Sequence, residues 1–299
     1  MMEGIEMGTI FIIIIMAMRI IQHYYSKRIS EIFPVSLAGR SKYVYLSMGT
    51  SAFFAFALLL IGGENGRFSW VNILLATISG LALAGANVFG TLALRTGTIV
   101  LSSIFGTAGL IVPCICGVFF FDEKMTVWQW GAVGVFIYAS WMLTSSEKNS
   151  NTKFSWGTML LLIGNFCVNG ITMLCQKLLT YTDPNANISL YSFFTFSIPA
   201  VLFLVIYKIN AREKPDERLN RKIYFPVFLI AFVVFLINQL ATTATNFMPS
   251  TILFAVLSCG NTIVATLVGA FAYKEKPNAR TILGLVICAL SLIIINSCK

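Results

Sequence analysis

Ten mainly apolar stretches, separated by short polar breaks, dominate this sequence. A membrane-crossing helix needs roughly 20 mostly apolar residues. The pattern therefore predicts an all-α integral membrane protein with ten transmembrane helices. The predicted spans cover about residues 4–25, 42–62, 71–94, 98–121, 126–144, 156–179, 188–209, 223–245, 250–273 and 281–295.

The composition agrees with a membrane protein and excludes several other classes. Of the 299 residues, 57% are hydrophobic and 11% are charged, whereas a soluble domain usually carries about 25% charged residues. With so few charges the chain could not cover its own surface in water, which excludes a soluble globular protein, a disordered chain and a disulfide-rich secreted module. Because the Lys and Arg residues separate apolar runs, we predict a lipid bilayer as partner and no nucleic acid.

The seven cysteines lie in or beside apolar runs and form no Cys-x-x-Cys pair. We interpret them as small packing residues and predict neither a metal site nor a cofactor. The first span has no basic segment before it and no small-residue cleavage site after it, so we interpret it as a retained helix.

The sequence contains an internal repeat. A Gly-x-Phe-x-x-x-Glu-Lys motif recurs after 152 residues, and the match is informative because charged residues are rare here. The two copies are Gly117, Phe119, Glu123 and Lys124, and Gly269, Phe271, Glu275 and Lys276. We predict two five-helix repeats, residues 1–147 and 154–299, in one integrated transmembrane domain. Because five is odd, the second repeat is inverted, as in many secondary transporters.

These features together resemble the drug/metabolite transporter superfamily, in particular its EamA-type ten-helix branch. The resemblance covers the whole chain. Its most specific residues are Gly117-Val118-Phe119 through Glu123-Lys124 with Gly131, and Gly269-Ala270-Phe271 through Glu275-Lys276-Pro277 with Gly284, together with Pro34 and Arg40. The sixth span keeps the family's Trp-Gly pair as Trp156-Gly157, whereas Gly8-Thr9 stands in the first span. The resemblance implies a carrier of small metabolites or drugs.

Two indications about orientation differ. Sixteen Lys and Arg residues fall in the odd-numbered loops and four on the other side, which places both termini outside. The resemblance implies that both termini face the cytoplasm. In either orientation we expect the bacterial cytoplasmic membrane as the location, with the chain acting as a monomer or a homodimer.

Three polar residues share one face of the first predicted helix. Arg19, His23 and Lys27 follow one another at intervals of four residues, and Gln22 lies beside this face. An ionisable residue within a span usually faces a cavity, where a positive charge would attract a carboxylate or a phosphate. The alternatives are that Arg19 extends to the membrane interface and that His23 is a polar anchor there.

Neutral polar residues interrupt the other apolar spans. Their amides and hydroxyls can donate and accept hydrogen bonds to a substrate, or they can bond neighbouring helices to each other. The candidates that join Arg19, Gln22 and His23 as substrate-binding residues are Asn87, Asn165, Asn169, Asn238, Gln239, Thr242 and Asn261.

No Asp or Glu lies deep in any predicted span, which disfavours proton-coupled export of cations. We therefore predict a secondary transporter that moves a small polar metabolite, an amino acid or a related organic acid, by export or exchange through alternating access. The alternatives are a flippase for a lipid-linked or amphipathic molecule and a multidrug exporter. A second class, an intramembrane enzyme or receptor, would need a catalytic constellation or a signalling domain, and we predict no enzyme.

Overall fold

A computed structural model describes residues 2–32, 36–62, 69–96, 99–120, 156–183, 185–213, 221–245 and 250–274, residue 247, and single positions between 126 and 139 and between 279 and 294. Within these residues every segment of regular structure is helical. A 3₁₀ turn covers Arg221–Ile223. The α-helices are α1 (Met2–Glu31), α2 (Leu37–Gly62), α3 (Trp70–Thr96), α4 (Ile99–Ala108), α5 (Ile111–Phe120), α6 (Trp156–Thr182), α7 (Ile188–Glu213), α8 (Tyr224–Ala244) and α9 (Ser250–Ala272).

Six of these helices, α1, α2, α3, α6, α7 and α8, are long and apolar enough to cross a membrane. The chain is therefore a helical, multi-pass membrane protein. Helix α9 agrees with the ninth predicted span. The fifth and tenth predicted spans are described only at single positions, and Glu123, Lys124, Glu275 and Lys276 of the two motifs lie outside the described residues. The count of ten helices stays a prediction.

Helix α1 is longer than the sequence predicts. It continues to Glu31 because its last turns have partners in the folded protein. Ile29 is fully buried in a cluster with Val44 and Val227. Two residues earlier, Nζ of Lys27 donates a hydrogen bond of 3.0 Å to the carbonyl oxygen of Leu94 at the end of α3.

The fourth predicted span is divided into α4 and α5 at Gly109 and Leu110. Pro113 has no N–H to donate to the carbonyl of Gly109, and its ring crowds that carbonyl. That carbonyl oxygen instead accepts from the amide of Val112 at 3.0 Å, and the amide of Leu110 donates to the carbonyl oxygen of Thr107 at 3.1 Å. A Cβ atom on Gly109 would lie 2.7 Å from the backbone nitrogen of Gly170 in α6, so glycine is needed for this crossing.

Helices of the first half pack extensively on helices of the second, and these contacts come in exchanged pairs. Helix α2 packs along α7, and α4 packs on α9. The contact of α3 with α6 corresponds to the contact of α1 with α8. In the same way, the contact of α3 with α7 corresponds to that of α2 with α8, and the contact of α4 with α6 corresponds to that of α1 with α9. When α1–α4 are matched in order with α6–α9, each of these contacts has its counterpart.

The two largest apolar clusters join helices of both halves. One contains Ile15 of α1, Ile104 of α4 and Leu253 of α9. The other contains Val44 of α2 and Phe196 of α7. Burying such side chains away from lipid holds the bundle together by close packing, since lipid tails are as apolar as the side chains themselves.

Candidate functional site

A cavity of about 200 Å³ lies between α1, α2, α3, α4, α6, α8 and α9. Its wall combines aliphatic residues with many polar side chains, which is unusual for the interior of an apolar bundle. The polar lining residues are Arg19, Gln22, His23, Ser26, Tyr43, Asn87, Thr91, Ser102, Ser103, Thr107, Asn165, Asn169, Thr172, Gln176, Asn238, Ser258 and Asn261.

The structure brings most of the predicted site residues to this one cavity. Eight of the ten candidates line it: Arg19, Gln22, His23, Asn87, Asn165, Asn169, Asn238 and Asn261. Gln239 and Thr242 are not among the lining residues. Gln239 faces α7, where its Oε1 accepts a hydrogen bond of 2.6 Å from Ser192 and its Nε2 donates to Ser189 at 3.3 Å. Thr242 is fully buried behind the cavity wall.

Arg19 supplies positive charge to the cavity. Its guanidinium nitrogen NH1 donates to Oε1 of Gln22 at 2.8 Å. Its Nε is buried without a hydrogen-bond partner, and none of the described residues that line the cavity is an Asp or a Glu. The helix runs another 12 residues to Glu31, about 18 Å at 1.5 Å per residue. Arg19 is therefore half-buried on the cavity, more than three turns before the end of α1.

His23 connects α1 to α9 and α4 across the cavity wall. Its Nε2 lies 2.8 Å from Oδ1 of Asn261, and Nδ2 of Asn261 donates to Oγ of Ser103 at 2.9 Å. Because the amide nitrogen of Asn261 donates to Ser103, the amide oxygen faces the imidazole. Nε2 of His23 is therefore protonated and donates this hydrogen bond.

The amides of α6 form a second part of the wall. Nδ2 of Asn169 donates to Oδ1 of Asn165 at 2.9 Å, and Nδ2 of Asn165 donates to the carbonyl oxygen of Ser102 at 3.3 Å. Two glycines leave room for these side chains. A Cβ atom on Gly106 would lie 3.3 Å from Nδ2 of Asn165, and one on Gly90 would lie 3.5 Å from its Oδ1.

A third polar group joins α6 and α8. Nε2 of Gln176 donates to Oδ1 of Asn238 at 2.9 Å and to Oγ1 of Thr242 at 3.3 Å. The hydroxyl of Thr242 donates to the carbonyl oxygen of Asn238 at 2.8 Å. Thr242 thus orients the glutamine from behind, while Asn238 and Gln176 line the cavity.

Several lining residues were not among the predicted candidates. Thr91 follows Asn87 by four residues, and Ser103 precedes Thr107 by four, so polar spacing on α3 and α4 was a usable signal. Tyr43 lies near the start of α2, and the polar residue four positions later, Ser47, does not line the cavity, so spacing alone did not identify this tyrosine. Its place in the cavity follows from how α2 packs in the bundle.

The described residues contain no group of three or more His, Cys, Asp or Glu side chains that could hold a metal ion. What the arrangement can do is bind: it offers one arginine, one imidazole and several amides and hydroxyls to a small polar molecule. These features define the class as a multi-pass membrane protein with an internal polar cavity.

The family follows from comparison with known proteins. Residues 155–297 match the family model described as the EamA-like transporter family. The matched range includes the second Gly-x-Phe-x-x-x-Glu-Lys motif. This match confirms the predicted likeness to the drug/metabolite transporter superfamily over the second half of the chain, and it implies a membrane transporter of that type. No curated protein matches the sequence.

A solved structure extends the likeness to the whole chain. It is described only as a crystal structure of a protein, and it is similar to this chain with a TM-score of 0.64 at 11% sequence identity. The similarity covers 95% of this chain and 97% of that one. At this identity the likeness concerns the fold alone, but it includes the first half, which the family match does not reach.

Proposed function

We propose that this protein is a secondary transporter that carries a small polar metabolite, an amino acid or a related organic acid, by export or exchange across the bacterial cytoplasmic membrane. The observation that carries the proposal is the half-buried Arg19 on a cavity whose described lining residues include no carboxylate. A buried charge is costly unless it is compensated. An anionic group on the substrate would supply that compensation.

Alternating access is supported by the exchanged contacts between the two halves. Matching α1–α4 with α6–α9 gives equivalent pairs, as two repeats of one unit would. With five spans in each repeat, the second is inverted relative to the first, and the polar cavity lies where helices of both repeats meet. Rocking of one repeat against the other would open this cavity to each side of the membrane in turn.

The size of the cavity favours a metabolite over a drug-sized molecule. Pockets for drug-sized ligands are about 300–1,000 Å³ and mostly apolar. The cavity here is about 200 Å³, and many polar side chains line it beside the aliphatic ones. This argues against the multidrug exporter among the alternatives, and the transporter family argues for a carrier over an enzyme.

Counterflow into proteoliposomes tests the proposal. Vesicles preloaded with unlabelled solute are offered a panel of radiolabelled amino acids and carboxylic acids, with wild-type protein, Arg19→Gln and the control Arg28→Gln, which changes an exposed arginine on the same helix. Hydrogen bonds to charged groups contribute about 1.5–3 kcal/mol, so Arg19→Gln should weaken apparent affinity about ten- to hundredfold. Arg28→Gln should transport as the wild type does. Absence of flux and exchange across the panel with folded protein would refute the carrier.

A further inference from the structure

We propose that the substrate is a hydroxy or oxo carboxylic acid, an anion with further hydrogen-bond acceptors and no ammonium group, and not an amino acid. The proposal rests on the carrier function above and narrows it. Its basis is the chemistry of the polar atoms that the cavity leaves unpaired.

Four polar atoms at the cavity are buried without a hydrogen-bond partner: Nε of Arg19, Nδ2 of Asn87, Nδ2 of Asn238 and Oγ of Ser258. Three of them are N–H donors, and the hydroxyl can also donate. They belong to four different helices, α1, α3, α8 and α9. A ligand that satisfies several of them must therefore present acceptors at separated points and not only at one carboxylate.

The orientation of Asn238 is fixed by its neighbours. The hydroxyl of Thr242 donates its hydrogen bond to the carbonyl oxygen of Asn238. Oγ1 of Thr242 can therefore only accept from Gln176, so the Gln176 atom 3.3 Å away must be the amide nitrogen. The same nitrogen lies 2.9 Å from the Asn238 side chain. That contact must be with the amide oxygen, so the atom of Asn238 that stays without a partner is its amide nitrogen, a donor.

The amide oxygens of the wall are used differently, because several already accept hydrogen bonds within the protein. Oε1 of Gln22 accepts from Arg19, Oδ1 of Asn165 accepts from Asn169, and Oδ1 of Asn261 accepts from His23. An ammonium group needs acceptors and a compensating negative charge. The described lining residues include no carboxylate, and Arg19 would repel the ammonium.

Pairs of ligands that differ only in carrying a hydroxy or oxo group in place of the ammonium group test the proposal. L-malate is compared with L-aspartate, and 2-oxoglutarate with L-glutamate, as competitors in counterflow and as ligands in a thermal-shift assay of the full-length protein. We expect the hydroxy or oxo acid to bind about tenfold or more tightly than the amino acid in at least one pair, since a polar site rejects an analogue that leaves its buried groups unpaired. Equal or tighter binding of the amino acids would overturn the inference and leave the carrier standing. If neither member of either pair binds, the inference is refuted, and the broader panel above judges the carrier separately.

A variant that replaces the unpaired donor with an acceptor tests the inference directly. Asn238→Asp retains the oxygen that accepts from Gln176 and replaces the free N–H donor with an acceptor. It should lower the preference for L-malate over L-aspartate about tenfold. Asn210→Asp is the matched control, because that amide is bonded to Ile206 of its own helix, away from the cavity. Asn87→Asp repeats the test at the second amide if Asn238→Asp does not fold, and an unchanged preference in the folded variants would overturn the inference.

Discussion

The imidazole Nε2 of His23 lies 2.8 Å from Oδ1 of Asn261, although 238 residues separate them in the chain. The contact joins α1 to α9 at the cavity, and Ser103 of α4 holds the asparagine in place. The pair therefore has a structural role in the wall as well as access to whatever the cavity binds.

This hydrogen bond should be measurable as a coupling free energy. In a double-mutant cycle of His23→Ala and Asn261→Ala, we expect a coupling of about 0.6–2 kcal/mol, the range for hydrogen bonds between membrane helices. The measurement is the free energy of unfolding in mixed micelles. Strictly additive effects of the two substitutions would contradict the contact.

Asn87 and Gln239 should respond differently to truncation, although both are amides in apolar spans. Asn87 lines the cavity with a free N–H donor, so Asn87→Ala should lower the apparent affinity for the transported solute by about tenfold. Gln239 bonds Ser192 and Ser189 instead, so Gln239→Ala should reduce thermal stability with little change in affinity. Concentration-dependent counterflow measures the apparent affinity of both variants, and thermal unfolding measures their stability. Equal losses of affinity would contradict the placement of Gln239.

Gly80 lies at a close crossing of α3 and α7. A Cβ atom there would overlap the backbone carbonyl oxygen of Thr195. Gly80→Ala should therefore destabilise the protein by about 1–3 kcal/mol, as overpacking typically does. Gly49→Ala is the control, because nothing lies within 4 Å of a Cβ at that position, and it should be neutral or slightly stabilising. Thermal unfolding in detergent compares the two, and a tolerated Gly80→Ala would argue against this crossing.

Thr242 should matter through the orientation of Gln176. Thr242→Val keeps the shape of the side chain but removes the acceptor for Gln176 and the donor to the Asn238 carbonyl. We expect a loss of about 0.6–2 kcal/mol in the free energy of unfolding. Thr182→Val serves as control, because that hydroxyl bonds the carbonyl of Leu178 at an exposed helix end. Similar small effects at both positions would show that the buried network contributes little.

Much of this architecture could be predicted from the chain itself, since the length and polarity of a span are local properties. Six of the predicted spans appear as helices long enough to cross a membrane, and the repeated Gly-x-Phe-x-x-x-Glu-Lys motif indicated the superfamily that the match to residues 155–297 confirms. The break at Gly109 was missed. Pro113 was a visible signal for it, but the need for glycine comes from the contact with Gly170 on another helix.

The polar residues show the limit of prediction more clearly. Scarce polar side chains in apolar spans identified most of the cavity wall, because such groups rarely face lipid. Periodicity could not separate Asn238, which lines the cavity, from the adjacent Gln239, which bonds to α7. The sequence by itself determined that polar groups lie inside a helical membrane protein. Only the tertiary structure decided which of them share a cavity, because that depends on how helices distant in the chain rotate and pack against one another.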